Sequence, residues 1–529
     1  MMGSMWDRPA QWISKEIFPA LALNRPFLRK LLCWMIAAAT ITVCALAVQL
    51  TIVARPFIGG LDFYYYIVTA RDLAQGAPDV SPLRYFYFPG VYSFWKAVFS
   101  VSDGSLASLQ WAYVAVLWAN AVLVGVILAT LTRLWQAGAL AASVYLFEAS
   151  RIEGFAGCTE PIATLPFLMG LWLWIVMGRA GQLRAGLMAL ASGFGLALYV
   201  KQHGGLLALG AIGLLAALKG NDPHRRYKVP DFLILPIGAA GVFLLAVMLE
   251  GGGVAAVRMG LLAAHEYLPH GSWLEHVDRV YGVTRPVADL FFAGCAAWAV
   301  MLIARERVPA VSDAVMLTLG LAIFSALGGL LQFWKRSYLH YTMLLLPSAI
   351  IAAGLAIYLV SEWLRRHARD AARFPSPALV LGMAAFVWMT AAGTAGFIQE
   401  SAAQLASPTQ WTTKEQVRSL TPLCTAVSAG DSLLLIPPLE NRVHWYCRTR
   451  PVDLKFINSW DPTGPAPYIP LLSEPSLKYV FVYSENNSGY DKRYFQEGDW
   501  SRFFAAMDRL GFRQTESFKQ GRLFQRVPA

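Results

Sequence analysis

Long, unbroken apolar runs separated by short basic or aromatic turns occupy most of the chain. They lie at about 31–53, 108–131, 136–150, 161–177, 185–200, 204–218, 231–249, 286–304, 313–332, 341–361 and 377–397. Most approach the roughly 20 residues that carry a helix across a bilayer. The runs are continuous rather than alternating, which argues against an outer-membrane barrel. The pattern predicts a polytopic α-helical membrane protein with about 11 transmembrane helices. The runs at 136–150, 185–200 and 204–218 are short, so their ends are the least defined.

Beyond about Ile398 the pattern changes. Leu433–Ile436 and Tyr479–Tyr483 read as buried strands, and Arg522–Val527 as a last strand. Between them, Phe503, Phe504, Met507 and Leu510 recur at helical spacing over Trp500–Leu510, and Gly511 ends that helix. A small α/β domain is expected there. Asn486-Asn487-Ser488 matches a glycosylation acceptor, a triplet common by chance. The chain thus divides into a cytoplasmic N-terminus, 1–30, a transmembrane domain, 31–397, with outer loops 55–107 and 250–285, and an extracytoplasmic α/β domain, 398–529.

Composition agrees with that division. Of 529 residues, 56% are hydrophobic and only 15% charged, against about 25% charged in soluble domains. The net charge of +11 comes mostly from loops. Arg25, Arg29, Lys30, Arg133, Arg179, Arg184, Lys219, Arg225, Arg226, Lys228, Arg305, Arg307, Arg365, Arg366, Arg369 and Arg373 all fall on one side when the spans are threaded in order. The positive-inside tendency makes that side cytoplasmic and puts the tail outside. Nucleic-acid binding is not needed to explain the charge. The first apolar run continues past Ala45-Leu46-Ala47 to Val53, which favours an uncleaved span over a signal peptide. Cys424 and Cys447, both in the exported tail, are disulfide candidates. Cys33, Cys44, Cys158 and Cys295 lie in or near apolar spans, and no spacing of Cys or His suggests a metal. His265, Glu266, His276 and Asp278 are residue types that could bind a metal, but their spacing matches no established metal pattern.

Ionisable residues at membrane depth are functional candidates. Asp62, in Gly60-Leu61-Asp62-Phe63-Tyr64-Tyr65-Tyr66, reads either as a loop or helix-cap acid or as a general base beside aromatics. Asp72 is a rival, but Arg71 next to it suggests an ion pair. Lys201-Gln202-His203-Gly204 breaks two apolar runs on the outer side. It reads as a hairpin with a snorkelling lysine or as a cation for a carrier phosphate. Lys335-Arg336-Ser337-Tyr338-Leu339-His340-Tyr341 is the most basic outer segment, suited to a phosphate clamp or to interfacial anchoring. Glu148, Arg151, Glu153 and Glu160 form a structural network or orient a sugar or acceptor. Arg84 precedes Tyr85-Phe86-Tyr87-Phe88-Pro89-Gly90.

The order of these motifs resembles the GT-C superfamily of integral membrane glycosyltransferases, the group that includes protein O-mannosyltransferase-like and aminoarabinose-transferase-like enzymes. The resemblance covers roughly residues 30–400. It runs through Gly-x-Asp-x-x-Tyr-Tyr after the first span, aromatic-Pro-Gly, Lys-Gln-x-Gly at a mid-bundle outer turn, and Arg336, His340 and Tyr341 before Pro347. It implies transfer of a sugar from a polyprenyl-phosphate carrier, with Asp62 as base and Lys201 and Arg336 on the phosphate. One departure stands out: Phe88 occupies the place where some relatives carry a lysine before Pro-Pro.

The expected function is a metal-independent glycosyltransferase of the bacterial inner membrane, acting without a cofactor on a lipid, glycan or protein acceptor. Asp62 is catalytic. Lys201, Arg336, His340, Lys335 and Arg84 bind the donor phosphate, and Glu153, Glu160, Tyr65 and Tyr87 contact acceptor or sugar. A transporter or flippase for a lipid-linked sugar would instead need charges in span centres and an inverted repeat. A non-catalytic envelope assembly protein would tolerate loss of Asp62.

Overall fold

A computed structural model describes residues 26–54, 61–76, 88–152, 157–205, 207, 229–250, 253–266, 272–303, 313–334, 339–367, 375–406, 412–437, 441–452, 464–484, 495 and 499–527. Thirteen helices precede the tail: α1 Pro26–Ala54, α2 Leu61–Ala74, α3 Pro89–Val101, α4 Leu106–Thr132, α5 Trp135–Arg151, α6 Glu160–Arg179, α7 Leu183–Val200, α8 Val229–Leu249, α9 Gly253–Glu266, α10 Trp273–Ile303, α11 Asp313–Leu330, α12 Thr342–His367 and α13 Pro375–Ala406, as counted among the described residues. Among these residues, six helices are long and apolar enough to cross a membrane, and shorter apolar helices cover Leu233–Leu249, Val315–Leu330 and Leu379–Thr394. The protein is a polytopic α-helical membrane protein with a small C-terminal sheet domain. Most of the expected span at 204–218 lies outside the described residues.

The chain forms two compact units. The first comprises Met1–Pro56, Trp111–Ala246 and Pro269–Ser401, and the second Phe57–Gln110, Val247–Leu268 and Ala402–Ala529. In the first unit α12 is the central helix. Its apolar window is 78% buried, against 22% for the windows of α1 and α10. Trp34, Met35 and Ile41 on α1 stay exposed, as a lipid-facing helix requires. Small residues let the backbones meet. A Cβ on Gly138 would stand 2.3 Å from the Gly125 carbonyl oxygen, and one on Gly193 would stand 2.5 Å from that of Pro166. Helix α10 starts well before the apolar run expected at 286. Its backbone leaves helical geometry at Thr284 (φ −103°, ψ 18°), just ahead of Pro286, whose missing N–H weakens that turn.

The second unit contains the segment after α1, folded as α2 and α3, together with α9 and the tail. Phe63 packs edge-on against Trp95, with ring centroids 5.3 Å apart, and the Tyr92 hydroxyl donates to that of Tyr65 at 3.3 Å. The tail adds α14 Thr412–Ala426, β1 Ser432–Ile436, α15 Arg442–Tyr446, β2 Arg450–Pro451, β3 Tyr479–Tyr483, α16 Trp500–Arg509, β4 Phe512–Phe518 and β5 Gly521–Arg526. The sheet order is β2-β1-β3-β5-β4. β1 runs parallel to β2 and β3, and β5 antiparallel to β3 and β4. Alternate residues of β1 and β3 face opposite ways, and both faces are covered. Leu434, Ile436, Val480 and Val482 pack on Phe503 and Met507 of α16. Leu433, Leu435 and Phe481 pack with Leu420 and Leu423 of α14 and Val443 of α15. The expected strands and the helix at 500–510 are present. The edge strand β4 escapes a hydrophobicity reading because all but its ends are polar and exposed. The triplet at Asn486 lies outside the described residues.

Cys424, in the last turn of α14, and Cys447, just past α15, are joined by a disulfide spanning 23 positions. Replacing both with serine is expected to cost about 3 kcal/mol, the loss for a loop of that order. Denaturant unfolding of the detergent-solubilised protein, followed at tail tryptophans, measures it. An unchanged midpoint would show that the bridge adds nothing.

Candidate functional site

The candidate site is built where two helix ends and a 3-10 turn of the first unit meet. Thr159 stands at the N-cap of α6, Glu160 is the first helical residue, and Pro161 follows, where its missing N–H costs nothing. At the other end of the α6–α7 hairpin, Lys201 ends α7 in extended geometry (φ −149°, ψ 133°). Its amide donates to the Ala197 carbonyl at 3.0 Å, and its own carbonyl accepts from the Gly204 amide at 2.8 Å. A Cβ on Gly204 would lie 2.4 Å from the Ala197 oxygen. Glycine is therefore what allows this turn to fold back on α7. The motif Lys201-Gln202-His203-Gly204 thus locks the lysine backbone in place.

The Lys201 ammonium pairs with a Glu160 carboxylate oxygen, both side chains being almost wholly buried (4% and 1% exposed). It also sits 4.7 Å from the centre of the Tyr341 ring, a cation–π contact. His203 and His340 both meet that ring edge-on, with centroids 5.6 Å and 4.9 Å away. His340 and Tyr341 come from a 3-10 turn, Leu339–Tyr341, that leads into α12. Cys158, Glu160 and half-buried His340 bring their ligating atoms within 4.8 Å of one another. Among the described residues these three side chains form the cluster that could hold a cation, and Lys201 already supplies the counter-charge of Glu160. The result is a desolvated ammonium fixed by one acid and one ring, with an imidazole alongside. That arrangement can hold an oxyanion.

Asn120 positions the acidic end. Its amide nitrogen, fully buried in α4, donates to the Pro161 carbonyl at 2.7 Å and to the Thr164 hydroxyl at 3.1 Å. This ties α4 to the first turn of α6, next to Glu160. Asn120→Ala is expected to destabilise the protein by about 1 kcal/mol, since it removes buried hydrogen bonds between α4 and α6 while the Pro161 carbonyl keeps the Thr164 hydroxyl as donor at 3.1 Å. A thermal melt in detergent checks it, and a melting temperature equal to the parent's would remove Asn120 from this role. Asn120 was not among the residues expected from sequence. The available signal was an amide in the middle of a long apolar run.

Of the residues singled out by sequence, the structure brings Lys201, Glu160 and His340 together. Glu160, expected as an acceptor or sugar contact, takes the position of partner to Lys201. Glu148 and Arg151 pair with each other at 2.8 Å. Arg71 and Asp72 pair at 2.9 Å. His276 is buried with Nδ1 at 2.7 Å from the Phe333 carbonyl, a structural contact. Asp62 is the second residue of α2 in the second unit, and its side chain is not described. Tyr65 is buried in that unit. Arg84, Tyr87, Glu153, Lys335 and Arg336 lie outside the described residues.

No family model matches the sequence, and no curated protein matches it. Solved structures share the fold. The apo ArnT of Cupriavidus metallidurans is similar with a TM-score of 0.56 and 14% identity, over 93% of this chain and 98% of that one. The same protein bound to undecaprenyl phosphate gives a TM-score of 0.54 and 14% identity, over 94% and 98%. An oligosaccharyltransferase of Archaeoglobus fulgidus, tethered to an acceptor peptide, gives 0.50 and 13%, over 92% and 74%. The fold is shared with ArnT and with the archaeal oligosaccharyltransferase, which agrees with the resemblance read from the motifs. Identities this low speak for the fold alone.

Proposed function

We propose that the protein is a membrane glycosyltransferase that moves a sugar from a polyprenyl-phosphate carrier to an acceptor hydroxyl on the extracytoplasmic side. The observation that carries the reading is the buried Lys201–Glu160 pair capped by Tyr341 and His340. The reading takes the ammonium of this pair as the cation for the carrier phosphate, in a fold shared with a protein solved with undecaprenyl phosphate bound. The reaction is one displacement at the anomeric carbon. Asp62 takes the proton of the acceptor hydroxyl, the acceptor oxygen bonds to the anomeric carbon, and the bond from that carbon to the phosphate oxygen breaks. Lys201, Arg336 and His340 stabilise the departing polyprenyl phosphate, with Lys335 and Arg84 adding positive charge. Glu153, Tyr65 and Tyr87 contact acceptor or sugar, and Glu160 holds the lysine.

The test is transfer of label from synthetic polyprenyl-phosphate sugars in membranes carrying the protein. No label reaching any lipid, glycan or protein fraction, across the common hexose and pentose donors, would sink the reading. The proposal also places the protein in a bacterial inner membrane, with 1–30 in the cytoplasm, 31–397 as the membrane domain and 398–529 outside. Reporter fusions are expected to put Arg225 in the cytoplasm and Ser484 outside. Both in one compartment would overturn that topology.

A further inference from the structure

Within the second unit, a cavity of about 820 Å³ lies among α2, the end of α3 and the segment from α15 to β2. Ligand sites run from roughly 300 to 1,000 Å³, so there is room for more than a single small ion. Part of its lining is aromatic, from Phe99, Trp445 and Tyr446. The rings of Phe99 and Trp445 are 6.2 Å apart.

The charged lining divides into committed and uncommitted groups. Arg71 is scaffold. Its guanidinium donates to Asp72 and to the carbonyls of His444 and Thr449, at 2.9–3.1 Å. It thereby joins α2 to α15 and to the segment after it. Asp103 is turned to its own loop, accepting from the Ser105 amide at 2.9 Å and the Ser108 hydroxyl at 2.5 Å. Those bonds hold its carboxyl below the usual range. Arg448 and Arg450 are different. Both line the cavity and both are exposed. Neither guanidinium has a hydrogen-bond or ion-pair partner among the described residues.

The backbone that presents them is held firmly. Arg448 has φ +53°, a left-handed geometry uncommon for a side chain of that size. Its carbonyl accepts from the Gly430 amide at 2.9 Å, and the residue before it, Cys447, is pinned by the disulfide. Strain of this kind persists where the surroundings impose it, and such residues cluster at ligand sites.

We propose that this cavity binds a saccharide bearing an oxyanion. Arg448 and Arg450 take the carboxylate or phosphate, for which the guanidinium fork is shaped. Trp445 and Phe99 take the apolar face of the ring. Calling this saccharide the acceptor rests on the glycosyltransferase reading, whereas its binding does not.

The test uses the full chain in detergent micelles and direct calorimetric binding of three probes: trigalacturonic acid, glucose 6-phosphate and neutral maltotriose. At least one acidic probe is expected to bind ten times or more tighter than maltotriose. Which acidic probe wins tells a carboxylate ligand from a phosphate one. The double variant Arg448→Gln, Arg450→Gln is expected to bring the acidic probe down to the level of maltotriose, with its melting temperature unchanged. Trp445→Leu is expected to weaken every probe. Equal binding of neutral and acidic probes, no binding of either acidic probe, or full acidic affinity in the arginine variant would each overturn the proposal. Absence of sugar transfer by the parent protein, with acidic-probe binding intact, would count against the enzyme reading alone.

Discussion

Lys201→Met is expected to destabilise the protein by about 3–5 kcal/mol and to abolish sugar transfer. The stability loss follows from burial. Glu160 and Lys201 are both nearly inaccessible. Removing the ammonium leaves a carboxylate in a medium that cannot solvate it, and breaking a buried pair from one side costs about that much. The loss of transfer follows from the proposed role as donor-phosphate cation. The two effects separate in a double variant. Lys201→Met with Glu160→Gln removes both charges at nearly constant volume, and most of the stability is expected to return because neutralising both partners of a buried pair is often nearly neutral. Transfer and polyprenyl-phosphate binding are not expected to return. Melting in detergent and binding of labelled polyprenyl phosphate read the two outcomes. A double variant that recovers transfer would show that the lysine serves the fold and not the donor.

Asp62→Asn is expected to lower the transfer rate by roughly 10²–10⁴-fold, the usual worth of a positioned general base. Size and polarity are kept and only the proton acceptor is lost. Expression, melting temperature and donor binding are therefore expected to match the parent. The informative comparison is kcat against donor affinity, because a phosphate-binding residue would move the second. Near-normal transfer would remove Asp62 from the chemistry. Glu153 would then be the next acid to test, since Glu160 is engaged with Lys201.

The gross architecture is legible from local pattern. A helix satisfies its own backbone within the segment, so an apolar run of about 20 residues suffices to announce a span. The runs expected at 108–131, 161–177 and 341–361 appear as α4, α6 and α12. The buried strands of the tail were legible for the same reason, being continuous apolar runs covered on both faces. The edge strand β4 was not, because its register comes from β5 and not from its own polar side chains. Helices α2 and α3 form in the long segment after α1, where Pro89, at the first position of α3, is a start signal.

The site divides the same way. Lys201 drew attention as a charge between two apolar runs, and His340 as part of a basic, aromatic turn. Sequence groups Glu148, Glu153 and Glu160 with Arg151 and assigns no acid to the lysine. Glu148 lies three positions before Arg151 on one helix and pairs with it locally. Glu160 and Lys201 are brought together by the α6–α7 hairpin, whose helices approach through Gly170 and Gly193. Tyr341 and His340 arrive from a turn far along the chain, and Asn120 from α4. Sequence determined which residues were costly to bury and therefore in need of partners. Only the tertiary structure decided which partner each received, because pairing across helices depends on how close two backbones come and at what register, and neither is encoded in the spacing along one chain.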